Sequence, residues 1–226
     1  MVAGLKERDF ISNTFGRYVD QEIARELLSR PEARRMGGEK REVVILFADV
    51  RGFTPLAETL SPETTIHLLN RHFAKMIEVI QAQRGIIVDF LGDAILAFFD
   101  PLDGPLEPVA QRAISSALKL QATVEVENLA EPGYPALHMG IGLHAGEVVV
   151  GNIGSETRAK YGIIGSPVNL THRIQGQAQG GEVVVSELVL HHCEAMVAVK
   201  RTFETTLKGI AYPVTLYVVE SIRGEP

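Results

Sequence analysis

Cys193 is the only cysteine in this 226-residue chain. No disulfide can form within the chain, and a reducing compartment is expected. Runs of lysine and arginine are also missing, and the formal net charge is −6. That balance argues against a phosphate-backbone partner, and no basic strand with surface aromatics supports nucleic-acid binding. No apolar run is long enough to cross a membrane, and no charged-then-apolar leader opens the chain. The expectation is a soluble, cytoplasmic protein. The seven histidines lack metal-ligand spacing: His67 and His72 are five apart on one helix, and His191 and His192 are adjacent. Gly146, Gly151 and Gly154 make a glycine-rich stretch, but no Gly-Lys-Ser/Thr accompanies it, so it is not a P-loop. These glycines instead suit tight turns and close chain approach.

The composition that is present, 46% apolar and 22% charged, is that of a globular protein long enough for one well-buried domain plus an appendage. Phe10, Phe15, Val19, Ile23 and Leu27 fall about one turn apart and predict a helix over 8–29. Pro31 and Gly37-Gly38 end it, and Glu39-Lys40-Arg41-Glu42 reads as a polar joint. Residues 1–40 are thus a helical connector, and a domain covers 41–222. Its predicted elements are a strand at 43–49 and a helix from Pro62 to about Gln83, with Ile66, Leu69, Phe73, Met76, Ile77 and Ile80 inward. Strands at 86–91 and 94–99 follow, joined by a tight turn at Gly92-Asp93. A helix near 109–127 has Ala110, Ala113, Ala117 and Leu120 inward. Strands at 136–144 and 147–151 form a second hairpin. A short strand at 161–164, a helix after Ser166-Pro167, and strands near 182–185 and 212–220 complete the domain. Hairpins mixed with single helices predict an α+β fold, with helices layered on one face of a largely antiparallel sheet.

Two carboxylates stand at the ends of apolar runs. Val43 to Phe47 lead into Asp49, and Asp93 lies between Ile86-Ile87-Val88 and Ala94 to Phe99. Burying a carboxylate is costly unless a cation meets it. A hairpin brings its turn beside the end of the neighbouring strand, so Asp49 and Asp93 can converge despite their separation in sequence. Singly, Asp93 could serve the turn and Asp49 could cap a loop. Together they suggest a divalent-metal site suited to phosphate chemistry.

A second constellation runs from Tyr161 to Arg173 (YGIIGSPVNLTHR). Ser166 is a good N-cap and Pro167 suits the first helical position. Asn169 and Arg173 are then an i,i+4 pair on one face. The guanidinium offers a fixed fork of donors to phosphate oxygens. An ordinary amphipathic helix would account for Arg173 alone, but not for the glycine-bounded passage from strand to helix.

With these motifs in view, the chain resembles the class III nucleotidyl cyclase catalytic domain, the adenylyl and guanylyl cyclase family. The resemblance covers about residues 41–220 and rests on FADVRGF (47–53), DFLGDA (89–94), GLHAGEVVVGNIG (142–154), YGIIGSPVN (161–169) with Arg173 after it, and LKGIAYPV (207–214). It implies a ferredoxin-like α+β core and a homodimer with active sites across the interface. One chain would hold two magnesium or manganese ions through Asp49, Asp93 and the Val50 carbonyl. The other would supply Asn169 and Arg173 to orient the ribose and stabilise the transition state. Phe53 and Thr54, at the end of the first block, are implied as substrate contacts, and Arg158 and Lys208 as looser phosphate contacts. The implied chemistry is attack of the ribose 3′-oxygen on the α-phosphorus with release of pyrophosphate, in cyclic nucleotide signalling. An upstream sensor domain fits the N-terminal connector, and the chain could be the intracellular part of a larger signalling protein.

The family reads the purine at two positions, where adenylyl cyclases usually carry Lys and Asp or Thr. Here these are Asp89 and Gly162. A carboxylate accepts from the N1 and N2 donors of guanine, whereas it opposes the N1 acceptor of adenine. Gly162 removes any acceptor for adenine N6. An unsatisfied buried polar group costs about 1–3 kcal/mol, so GTP is the expected substrate. ATP cyclisation, or a silent cyclase-like dimerisation domain, are the alternatives. A silent domain has no need to keep Asp49, Asp93, Asn169 and Arg173 together.

Overall fold

The computed structural model describes residues 37–223 except positions 103 and 156. The helix predicted over 8–29 lies outside the described residues. The chain folds as β1 (Gly37–Val50), α1 (Phe53–Thr59), α2 (Pro62–Ala82), β2 (Ile86–Leu91), β3 (Ala94–Phe99), α3 (Glu107–Ala130), β4 (Met139–Ser155), β5 (Arg158–Ile164), α4 (Ser166–Gln175), β6 (Val183–Ser186), α5 (Glu187–His191), β7 (Val197–Thr205) and β8 (Val214–Ile222). The sheet has the order β2-β3-β1-β4-β6-β8-β7, with β5 added to β4. Every pairing is antiparallel except β4 with β6. The α+β class and the predominantly antiparallel sheet match the sequence-based expectation.

β1 is the central strand, and its residues 43–48 are all buried. Their side chains alternate between two cores, as the pleat requires. Val44, Leu46 and Ala48 join a core with Leu68, Met76, Ala113 and Leu120 of α2 and α3. Val43, Ile45 and Phe47 face the opposite side, with Phe98, Val148 and Ile163 and the flanking Val168 of α4. A third cluster sets Ile174 of α4 against Val184 and Val218. Helices therefore cover both faces. The single helical layer expected from sequence is corrected by the central strands, which are apolar on both sides and need cover on both.

Three further expectations change. The polar joint 39–42 is part of β1. Its charges alternate with the pleat: Lys40 pairs with Glu147 at 3.1 Å in solvent, and Arg41 pairs with Asp100 at 2.7 Å in a largely buried contact. The hairpin expected within 136–151 is one continuous 17-residue strand, β4, whose hairpin partner is β5. The buried stripe of α2 is Leu68, His72, Met76 and Ile80 at strict i,i+4 spacing, whereas Ile66 is exposed. A histidine inside the stripe disguised its phase. α1, α5 and β7 were not anticipated. They are short or, in β7, half-polar, and periodicity is weak in such segments.

Candidate functional site

Asp49 sits at the end of β1, opposite Ala94 of β3 and Gly140 of β4. Asp93 precedes Ala94 in the two-residue turn between β2 and β3. Gly92 supplies the positive φ (68°) that a tight hairpin turn asks of its first central residue. The register therefore delivers both carboxylates to one end of the sheet, as the sequence suggested. Burial, then the hydrogen bond and the charge of Asp49, push the Asp93 carboxyl up from 3.8 to about 6. The N–H groups of Asp93 and Val50 donate to that carboxylate and oppose the rise. Two acids crowded in this way favour a cation between them. No group of three or more His, Cys, Asp or Glu able to hold a metal occurs among the described residues. The donor set is thus the two carboxylates. That suits magnesium or manganese, which leave most of their coordination to water and phosphate oxygens.

Arg51 lies 3.7 Å from the Asp49 carboxylate through Nη1 and donates from Nη2 to the Gln175 carbonyl at the end of α4. Its Nε is buried without a partner. Gly140 makes room for this guanidinium, since a Cβ there would stand 2.5 Å from it. Gln175 in turn donates to the Gly140 carbonyl at 3.1 Å. These contacts tie α4 to the strand ends that bear Asp49. Sequence reasoning passed over Arg51, although its place two residues after Asp49 was a usable signal.

A cavity of about 370 Å³ opens beside Asp49, lined on the sheet side by Phe47 and Leu96 and on the α4 side by Val168, Asn169 and His172. The His172 ring lies 4.8 Å from that of Phe47. Asn169 and Asp49 therefore share a cavity within one chain. Arg173 is not among the residues lining it. Its guanidinium rests on Gly209 in the β7–β8 connection, where a Cβ would come within 3.2 Å of Nη1. This is the connection that carries Lys208, which is exposed. α4 also starts one residue earlier than predicted, with Gly165 as its N-cap, so Ser166 makes no capping bond.

The remaining candidates scatter. Phe53 is 7% exposed and packs in the α2–α3 core, so its side chain is structural and only its backbone is available to a substrate. Thr54 is exposed on α1. Arg158 is exposed at the β4–β5 turn, where its N–H donates to Ser155 Oγ at 3.2 Å.

The two base-reading candidates lie on facing strands, β2 and β5. Asp89 on β2 forms an ion pair with Lys160 on β5, and Phe90 N–H donates to the other carboxylate oxygen at 3.0 Å. Gly162, two residues after Lys160, is buried against Val88 of β2. Both charged side chains of the pair are about half exposed, so it contributes under about 1 kcal/mol to stability. Lys160 was missed, although its period-2 spacing from Gly162 places it on the same face of β5.

The model of the family described as the adenylate and guanylate cyclase catalytic domain matches residues 37–221. The crystal structure of the guanylyl cyclase Cya2 superposes with a TM-score of 0.79 at 39% identity, over 84% of this chain and 97% of that one. The adenylyl cyclase CyaB from P. aeruginosa gives a TM-score of 0.77 at 28% identity, over 82% of this chain and 97% of that one. The uncharacterized protein Rv1318c of Mycobacterium tuberculosis is 35% identical over 181 residues, 77% of this chain and 30% of its own length. The chain thus spans about a third of the curated relatives it matches. No described helix is long and apolar enough to cross a membrane. A sheet carrying Asp49 and Asp93 at one end, α4 docked beside them and a family match from Gly37 to Ser221 lead to one assignment: the chain belongs to the class III adenylyl and guanylyl cyclase catalytic-domain family.

Proposed function

We propose that this domain converts GTP to cyclic GMP and pyrophosphate as a homodimer. The observation that carries the reading is the Asp49–Asp93 pair at the strand ends beside α4, with Asp89 and Gly162 on the two strands of the β2–β5 seam. Asp49, Asp93 and the Val50 carbonyl are the residues to hold two magnesium or manganese ions. When bound, the ions supply positive charge to the triphosphate and to the attacking oxygen.

Asn169 and Arg173 have separate surroundings in one chain, the first on the Asp49 cavity and the second on Gly209. A second copy facing the first is the arrangement that sets Arg173 of one chain toward the carboxylates of the other. Asn169 then orients the ribose so that its 3′-oxygen is in line with the α-phosphorus. Arg173 stabilises the charge that develops as the bond to pyrophosphate breaks. Asp89 accepts from guanine N1–H and the 2-amino group. The absence of a side chain at Gly162 leaves adenine N6 without an acceptor. The 39% identity to a guanylyl cyclase, against 28% to an adenylyl cyclase, supports the same choice.

The test is incubation of the purified chain with manganese and each of the four nucleoside triphosphates, with the cyclic product identified by mass. Cyclic GMP as the dominant product is expected. Cyclic AMP as the dominant product overturns the base assignment, and no product from any triphosphate overturns the enzyme assignment.

A further inference from the structure

We propose that Lys160 is a second base-reading residue, donating to the 6-oxo group of the purine while Asp89 reads N1 and N2. The inference rests on the guanine reading above and assigns the third polar atom of the guanine edge, for which neither the Asp89 carboxylate nor position 162 offers a side-chain donor.

Three local features build the pair. β2 has a register shift between Ile87 and Asp89: Ile87 lies opposite Ala97 and Asp89 opposite Leu96, leaving Val88 as the extra residue. A bulge of this kind re-aims the side chain that follows it, and Asp89 points across to β5. Lys160 and Gly162 share one face of β5, and a Cβ at Gly162 would already stand 3.3 Å from Val88 Cγ1. A larger side chain at 162 would therefore occupy the seam that Lys160 crosses. The Lys160 ammonium meets the Asp89 carboxylate at 2.5 Å, with the two side chains 51% and 42% exposed. The pair is formed in advance, yet it is open enough for a planar edge to lie against it.

The pair presents acceptors followed by a donor. Guanine presents donors at N2 and N1 followed by an acceptor at O6, so each group finds a complement. Adenine presents an acceptor at N1 and a donor at N6. It opposes both members, carboxylate against lone pair and ammonium against amino group. The pair thus discriminates twice, and the ion pair with Lys160 holds the Asp89 carboxylate toward the seam. A plain surface ion pair is the competing account, and it predicts no dependence on the atom at purine position 6.

The test compares kcat/KM for GTP and 6-thio-GTP, whose sulfur is a weak acceptor, in the wild type, Lys160→Met and Lys160→Arg. The wild type should favour GTP about tenfold. Lys160→Met should lose about that factor on GTP, chiefly through KM, and show a ratio near one. Lys160→Arg should restore the preference, and melting curves confirm that each variant is folded. A wild-type ratio of one, or a wild-type ratio retained in folded Lys160→Met, overturns the role of Lys160 and leaves the guanylyl cyclase reading standing. Cyclic AMP as the main wild-type product overturns that reading, and this inference with it.

Discussion

Asp49→Asn should make the metal-free domain more stable at neutral pH while abolishing turnover. In the folded chain the Asp93 carboxyl is raised from 3.8 to about 6, first by burial and then by Asp49. The native state therefore holds its proton more tightly than the unfolded chain. Stability falls as pH rises from about 4 to about 6, and the full penalty applies above that range. A rise of this size corresponds to about 3 kcal/mol if unscreened. Asp93 is partly solvated, and Asn at 49 relieves only the smaller, charge-derived share. The expected gain is about 0.5–1 kcal/mol, or about 1–4 °C in Tm for a domain of this size. Loss of the 3.7 Å contact to Arg51 takes little from this, because that pair is also part-exposed. The assay is thermal melting of chelator-treated protein at pH 5.0 and pH 7.5. The gain at pH 5.0 should be about a fifth of that at pH 7.5, because the native carboxyl is then mostly protonated in both proteins. A variant less stable than wild type at pH 7.5, or one with the same difference at both pH values, would refute the account of a strained acid pair. Manganese should reverse the ranking by stabilising the wild type more than the variant.

Other expectations follow from the same geometry. Asp89→Lys alone places a second ammonium beside Lys160 and should cut GTP turnover without conferring good ATP turnover. Adding Gly162→Asp supplies a counter-charge and should raise the ATP-to-GTP ratio of kcat/KM. Gly209→Ala forces a Cβ to within 3.2 Å of Arg173 at a φ of +77°, and it should lower kcat more than tenfold in protein that still melts cooperatively. Gly142→Ala sets a Cβ 2.4 Å from the backbone nitrogen of Gln175, so α4 must lift, at a cost of about 1–3 kcal/mol in denaturant unfolding. His144 is held down to about 4 by burial and meets Ser186 Oγ at 2.9 Å. The unfolded chain therefore takes up its proton first as pH falls below 6.5, and stability should drop between pH 6.5 and 4. His144→Asn should flatten that limb of the pH–stability curve.

Part of the fold was legible because β2 and β3 are short, largely apolar strands bounded by turn residues. β2, the Gly92-Asp93 turn and β3 were placed to the residue. The same pattern concealed β4: Gly146 and Gly151 look like turn glycines, but they lie in a continuous strand. Pro167 approaches Gly146 and the Gly37 carbonyl approaches Gly151, so each position excludes a side chain for packing reasons. The carboxylate pair was legible because acids at the ends of apolar runs stand out. Arg51 and Lys160 were not, since a charged residue acquires its partner only through register, as Lys160 does across the β2–β5 seam. Phe53 shows the converse. A residue inside a recognisable motif block proved to be core, because α1 turns its ring inward.

β1 pairs with β4 over fourteen consecutive residues, from Gly37 opposite Asn152 to Val50 opposite Met139, with no bulge. At a strand's rise this ribbon is about 45 Å long. Its near end is where the chain enters the domain, so tightly that a Cβ on Gly151 would stand 2.2 Å from the Gly37 carbonyl oxygen. Its far end is Asp49. A ribbon with no interruption in its register has no joint, so it behaves as a pushrod. A twist or shove delivered at Gly37 arrives at the carboxylate as movement of the whole rod, and α4, seated on Gly142 partway along it, travels too.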